Sequence, residues 1–224
     1  LLGHVKNLGK DYADPMVRGY QTGAQMNFHS DQCDYVGLMC MHPAKSGGAS
    51  LVASSMTVHN EMQKRRPDLA AALCNIFYFT KHGEVKEGED PFYCMPIFGF
   101  RDGYLSTRAG GAHVRKAQTL PGVPKFTETD IEALDMFQEL AKELYMPMEF
   151  EVGDIQFLHN HVMLHTRTAF EDFEEHEKKR HLMRLWLCDV EGRPTPPGFR
   201  DNISGIEVDG TIHTAPLDMV EGAG

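Results

Sequence analysis

Pro91-Phe92-Tyr93-Cys94-Met95-Pro96-Ile97-Phe98-Gly99-Phe100-Arg101-Asp102-Gly103-Tyr104-Leu105-Ser106-Thr107 decides the fold class. Its aromatic and aliphatic residues come in short pieces broken by Gly and Pro, too short for helices and rich in side chains that suit a pleated surface. Asp102-Gly103 is a hairpin signal, because both central positions of the tight two-residue turn take a positive φ. Working outward, Tyr35 to His42 form an apolar run consistent with a buried strand, and Pro43 with Gly47-Gly48 marks a turn after it. Further along, Met148 to Val152 alternate as a strand, Gly153-Asp154 turn the chain, and Ile155 to His165 read as a second strand. His181 to Cys188 read as another, reached through the charged connection 171–179, a solvated hairpin tip. Many short strands joined by turn chemistry point to a mostly β fold, a sandwich or barrel with helices packed outside.

The helical insertions have clear starts. Ser54 or Ser55 caps a helix running to about Arg66, and Pro67 opens a second through Ala70-Ala71-Ala72-Leu73. Thr127 and Asp130 have capping-box spacing. Ile131, Leu134, Phe137, Ala141 and Leu144 then recur at helical intervals, so 128–145 reads as an amphipathic helix. From Glu191 the tail carries Pro194, Pro196, Pro197 and Gly198 and reads as loop, 191–224. No repeat or linker divides the chain, so 1–224 is expected to form one domain.

Hydrophobic residues make up 42% and charged residues 24% of the 224, close to the globular average, which excludes disorder and fibrous repeats. Lys and Arg total 22 against 32 Asp and Glu, a formal charge of −10. That balance argues against nucleic acid bound over a broad basic surface and leaves room for a small basic pocket that takes an acidic metabolite. No apolar run approaches the ~20 residues that span a bilayer, so no membrane partner is expected. Leu1-Leu2-Gly3-His4 shows no secretory pattern and no initiator Met, so the chain is expected to lack an N-terminal portion. Five cysteines without CxxC spacing argue against a disulfide framework and suit a reducing cytoplasm. Twelve His in an acidic chain prompt a search for metal or acid–base chemistry.

His29-Ser30-Asp31 is the first candidate. An imidazole and a carboxylate two positions apart in an extended segment can reach one metal, and the pair suits Fe(II) or Mn(II) better than a soft-metal site. With 12 His and 32 acidic residues in 224, chance alone supplies roughly 1.7 His-x-Asp/Glu pairs. The others present are His59/Glu61 and His82/Glu84. His59/Glu61 falls in an expected helix, where i and i+2 point apart, and His82/Glu84 flanks Gly83 in a polar turn, so both read as surface pairs.

The second candidate is His159-Asn160-His161-Val162-Met163-Leu164-His165. As one strand it puts 159, 161, 163 and 165 on one face, and parity does not say which histidine supplies a third ligand. Two His and one carboxylate would form the facial triad of non-haem Fe(II) oxygenases. Arg180 and Arg184 share parity with Leu182 and Trp186 on the strand that follows. Two guanidinium groups on an otherwise apolar face need anionic partners, either structural ion pairs or a small dicarboxylate gripped by the Arg fork. Gly47-Gly48-Ala49-Ser50 is a turn that ends on a hydroxyl.

In this order His29-Ser30-Asp31, Gly47-Gly48-Ala49-Ser50, Gly153-Asp154 with Asn160 and His165, and Arg180 with Arg184 form a set. The set, spread over 29–187, resembles the TauD/TfdA (taurine-dioxygenase-like) branch of the Fe(II)/2-oxoglutarate-dependent dioxygenases. The resemblance implies a double-stranded β-helix, or jelly roll, with Fe(II) on His29, Asp31 and His165. It implies that Arg180, helped by the Ser50 hydroxyl, holds the distal carboxylate of 2-oxoglutarate, and that Arg184 faces an acidic group on the substrate. The implied reaction uses O2 to oxidise, by default to hydroxylate, a C–H bond of a small metabolite and releases succinate and CO2. Ser50 keeps a hydroxyl where the family commonly has Thr, and Ala49 replaces a usual Asp. Asn27, with Tyr20, Gln21 and Phe28, lies just upstream of the metal pair and is a candidate to line the substrate pocket, to which a longer leading stretch contributes in the family. Two other classes stay open: a cupin-like metalloenzyme of another reaction class, where Arg180 has no assigned job, and a non-catalytic β-sandwich binding module with structural histidines. Oligomeric state is open, a homo-oligomer included.

Overall fold

The computed structural model describes residues 3–11, 17, 19–81, 85, 87–189, 191–201, 203 and 206–207. His82, Glu84 and most of the tail beyond 201 lie outside the described residues. In chain order β1 (Gly3–Lys6) is followed by β2 (Tyr35–His42), β3 (Ser46–Gly47) and β4 (Ser50–Ser54), then by α1 (Ser55–Arg65) and α2 (Pro67–Ala72). Next come β5 (Ile76–Thr80), β6 (Phe92–Pro96), β7 (Phe98–Arg101), β8 (Tyr104–Thr107), α3 (Ala112–Ala117) and α4 (Glu128–Glu143). The chain returns through β9 (Met146–Met148), β10 (Ile155–His159), β11 (Met163–Arg167), β12 (Phe170–Glu171), β13 (His181–Cys188) and β14 (Ile206–Glu207).

Two antiparallel sheets carry the architecture. The larger runs β1-β13-β2-β10, with β14 joining β13 in parallel, and the smaller runs β11-β4-β9. They pack face to face. Val36, Leu158 and Trp186 of the larger sheet meet Val52 of the smaller in one buried cluster, and Val5, Cys40 and Leu182 meet Phe150 in another. This double layer is the jelly roll. Alternation along β4 lets one strand serve two cores: Val52 faces the larger sheet, while Leu51 and Ala53 pack with Leu164 against Met62, Phe137 and Leu140 of the helical layer.

Local chemistry sets the ends of the elements. The Ser54 side chain accepts from Thr57 N–H to cap α1, Pro67 occupies the first turn of α2, and Thr127 with Asp130 closes a reciprocal capping box on α4. The buried face of α4 centres on Ala133, Phe137, Leu140 and Ala141, which leaves Ile131 exposed. The β7–β8 hairpin turns at Asp102 and Gly103, with φ of 51° and 81°.

Several sequence readings need correction. The connection 171–179 is not a hairpin tip, since β12 pairs with β3 while β13 lies in the larger sheet. Ile155 to His165 is not one strand: β10 ends at His159, residues 160–162 turn, and β11 continues in the other sheet. The turn is fixed by partners distant in sequence. Asn160 N–H donates to Asp34 O at 2.9 Å, and the Asn160 side chain bonds Asp31 N–H and Cys33 Sγ. The parity argument that put His159, His161 and His165 on one face therefore fails. The strand expected over Met148 to Val152 lies earlier, at Met146–Met148, because Asp154 accepts from Glu151 N–H at 2.8 Å and curls the following residues into a turn. Residues 191–201 are irregular as read, whereas Ile206–Glu207 form the short strand β14 on β13, against the loop expected over 191–224. No helix among the described residues is long and apolar enough to cross a membrane.

Candidate metal centre

His29 and His165 face each other across a two-bond main-chain bridge, His29 N–H to His165 O at 3.0 Å and His165 N–H to His29 O at 2.9 Å. At Gly111, with φ of 48°, a Cβ would lie 3.2 Å from His29 Cβ, so glycine keeps the entry to α3 close against His29. One donor atom each from His29, Asp31 and His165 lies within 4.8 Å of the others, and no other such trio exists among the described residues. His29 Nε2 is 3.9 Å from Asp31 Oδ1, and His165 Nε2 is 3.9 Å from Asp31 Oδ2. These gaps are too long for hydrogen bonds and fit one cation bonded to all three at about 2 Å.

Electrostatics prepare the trio for a cation. The His29 Nδ1–H donates to Asn27 O at 2.9 Å, which leaves the Nε2 lone pair toward Asp31. Burial, then His29 and Arg184, push the His165 pKa down to about 3 against the pull of Asp31, so this ring is neutral. Its Nδ1 is buried without a hydrogen-bond partner. Burial raises the Asp31 carboxyl, but Arg184, His165, His29 and the Trp186 indole outweigh it and hold the pKa at about 2. Trp186 Nε1–H donates to Asp31 Oδ2 at 2.7 Å, and Arg184 Nη1 lies 3.7 Å from the same oxygen. Arg184 is itself stacked between Trp186 and Tyr20, 4.5 and 5.0 Å from the ring centroids. Asn160 Oδ1 accepts from Asp31 N–H, and the Arg108 guanidinium donates to Asp31 O, so the main chain of this residue is tied on both sides. Two imidazoles and one ionised carboxylate, with His165 Nδ1 left unsatisfied, are a donor set that fits Fe(II).

The trio opens into a pocket of about 1220 Å³, part of it open to solvent, whose walls also hold Asn27, Ser50, Arg180 and Arg184. Tyr20, Asn27, His29, Asp31, Ser50, His165, Arg180 and Arg184 thus reach one pocket, whereas Gln21 is not among its lining residues and Phe28 packs in the hydrophobic core. Arg180 is only 5% exposed and lies over the Phe170 ring at 5.1 Å. Burial lowers its pKa, and its main-chain N–H is held by Asp172 Oδ1 at 2.8 Å. Asp172 also acts on its charge from a distance, opposing the effect of burial, and no salt bridge to its guanidinium forms among the described residues. Gly48, with φ of 77°, makes room for it, since a Cβ there would lie 3.1 Å from Arg180 Nε. Ser50 Oγ contacts the Gln156 side-chain amide at 3.3 Å.

The competing candidates His159 and His161, and His59, are engaged elsewhere. His161 Nε2 sits 2.7 Å from Asp34 Oδ1, with Arg200 and Asp189 N–H on the other carboxylate oxygen, and His159 packs on Tyr35. His59 meets Phe98 and Phe100 edge-on, while Glu61 pairs with Arg65. Sequence reading missed the donors Trp186 and Arg108 on Asp31, Gln156 beside Ser50, and Arg167, buried and over Phe170 at 4.6 Å. For Trp186 a signal existed, its shared parity with Arg184; a lone Arg or Gln carries no spacing pattern.

The chain matches the family model "Taurine catabolism dioxygenase TauD, TfdA family" over residues 3–186. It is 35% identical over 195 residues to FR-33289 synthase of Streptomyces rubellomurinus (strain ATCC 31215), which covers 85% of this chain and 58% of that protein. It is 32% identical over 179 residues to taurine hydroxylase-like protein SAT17 of Stachybotrys chartarum, covering 77% of this chain and 45% of that one. Among solved structures it is similar to an asparagine oxygenase in complex with Fe(II), 2S,3S-3-hydroxyasparagine and succinate, with a TM-score of 0.63 at 18% identity over 82% of this chain and 55% of that one. It is also similar to the non-heme iron oxygenase OrfP in complex with Fe and alpha-ketoglutaric acid, with a TM-score of 0.58 at 14% identity over 84% and 56% of the two chains. These structural likenesses bear on the fold. The chain spans about half the length of the curated relatives it matches.

Proposed function

Because the chain belongs to the TauD, TfdA family, we propose that it is an Fe(II)/2-oxoglutarate-dependent dioxygenase that hydroxylates a C–H bond of a small acidic metabolite. The observation that carries this reading is one pocket holding both the His29–Asp31–His165 trio and a buried Arg180 that forms no salt bridge among the described residues. His29 and His165 through Nε2, and Asp31 through its carboxylate, would hold Fe(II). Arg180 and the Ser50 hydroxyl would hold the distal carboxylate of 2-oxoglutarate. Iron with 2-oxoglutarate and O2 supplies the oxidation: one oxygen atom enters the C–H bond, the other enters succinate, and CO2 leaves.

The protein groups orient and exclude water. Trp186 and Arg184 fix the face that Asp31 presents, and Asn160 with Arg108 fixes its main chain. Val5, Leu38, Phe150 and Leu182 give the pocket apolar walls. Arg108, Lys116, Arg167, Arg180 and Arg184 line it, whereas Asp31 is its only carboxylate among the described residues. In a chain of net charge −10 this concentration of cations favours anionic ligands, with Arg184 and Asn27 on the substrate. The unpaired cysteines support work in a reducing compartment, the cytoplasm.

Anaerobic titration of the Fe(II)-loaded protein with 2-oxoglutarate tests the reading. The charge-transfer absorption of a chelated keto acid is expected, followed by succinate release once O2 and substrate are admitted. A protein that takes Fe(II) but never develops that absorption would leave a cupin-like metalloenzyme of another reaction class.

A further inference from the structure

β1, β13 and β2 lie side by side, and their register sets Lys6 across from His181 and His181 across from His42. His4 shares the face of Lys6 on β1. This face is opposite the one on which Leu182, Arg184 and Trp186 are buried. His4 Nδ1 and His181 Nε2 are 2.8 Å apart, with ring centroids 5.0 Å apart, and the His42 ring lies 6.4 Å from that of His181. His4 and His42 are exposed and His181 is half-buried. None of them lines the pocket.

A nitrogen pair at this distance shares a proton in a hydrogen bond. It also has nearly the spacing of two imidazoles on one metal, since bonds of about 2.0–2.1 Å at near-tetrahedral angles put the nitrogens ~3 Å and the ring centroids ~5 Å apart. We propose that His4, His181 and His42 form a second metal site, open to solvent, for a divalent transition ion of borderline softness such as Zn(II) or Cu(II). On binding, the bridging proton moves to the outer nitrogen of the ring that carried it, so both facing nitrogens ligate from neutral imidazoles, and His42 closes the third position by rotating an exposed ring. Burial, with Lys6, His4 and His42 nearby, holds the His181 pKa down at about 4, so its lone pair is available at neutral pH. The Lys6 ammonium opposes a cation here, so Lys6→Gln tightens the site. Bound metal ties β1 to β13 and β2, three strands whose only covalent links are long connections.

Calorimetric titration of the metal-free protein with Zn(II) alone tests this. The wild type is expected to take up two equivalents. Asp31→Ala keeps the outer equivalent, and His181→Ala loses it together with its contribution to the zinc-induced rise in Tm. His42→Ala, at an exposed strand end where folding is not at stake, weakens the outer equivalent at least tenfold. If His181→Ala and His42→Ala bind zinc with wild-type stoichiometry and affinity, or if Asp31→Ala binds none, the proposal is overturned. Asp31→Ala reports the outer site by itself, so the outcome is separate from that of the dioxygenase reading.

Discussion

Asp34 with His161 and Asp31 with His165 are two buried acid–imidazole pairs drawn from the same two segments of chain, and they have opposite designs. The first is closed: 2.7 Å between Asp34 and His161, with Arg200 and Asp189 N–H on the remaining oxygen. The second is held open at 3.9 Å, with His165 Nδ1 unsatisfied and the carboxylate steadied by Trp186 and Arg184. A buried pair free to relax would collapse to a hydrogen bond, as the first has done. Here the main-chain bridge fixes His29 and His165 while Trp186 and Arg184 hold the Asp31 carboxylate, and the gap left between them is available to a cation.

The comparison breaks most completely at the open pair. Asp31→Ala or His165→Ala is expected to reduce Fe(II)-dependent succinate formation to background while far-UV circular dichroism stays unchanged, a loss beyond the ~10–100-fold typical of outer partners. Retained turnover in either variant would remove that residue from the metal. The closed pair predicts the reverse split. Asp34→Ala should cost about 3 kcal/mol of stability by denaturant unfolding, because it leaves His161 and Arg200 without their buried partner, while turnover per folded molecule survives. The pH dependence has a definite sign. Burial raises the Asp34 carboxyl, but His161, Asp189 N–H and Arg200 bring it below the ordinary 3.8. Its stabilisation is therefore complete above 3.8 and is lost as pH falls through the lowered folded value, a slope that Asp34→Ala should abolish.

Two smaller effects sharpen the contrast. Arg180→Ala is expected to raise the 2-oxoglutarate requirement roughly 10–100-fold, the worth of a charge-assisted pair, with little change in iron affinity. An unchanged requirement would take Arg180 off the co-substrate. Trp186→Phe keeps the ring packing and deletes one donor to Asp31, so iron affinity should fall about tenfold by calorimetry.

How far the sequence speaks follows the range of the interactions involved. β2, α1, α4, the Asp102-Gly103 hairpin and the inward parity of β13 rest on neighbours within a few residues, and all are legible. The break at 160–162 is not, since Asn160 and His161 are turned by Asp31, Cys33 and Asp34, far off in the chain. From residue pattern alone, 159, 161 and 165 were therefore indistinguishable, and only the ordered resemblance singled out His165. Arg108 and Arg167 left no trace for the same reason: each acts through main-chain carbonyls brought near by folding.

Trp186 is the only tryptophan in the chain, and its indole N–H rests on Asp31. The protein thus carries a single indole fluorophore, excitable apart from its seven tyrosines, wired to the carboxylate of its candidate iron site. Filling or emptying that site should change the emission of one identifiable residue, with no label added and no second indole to dilute the signal.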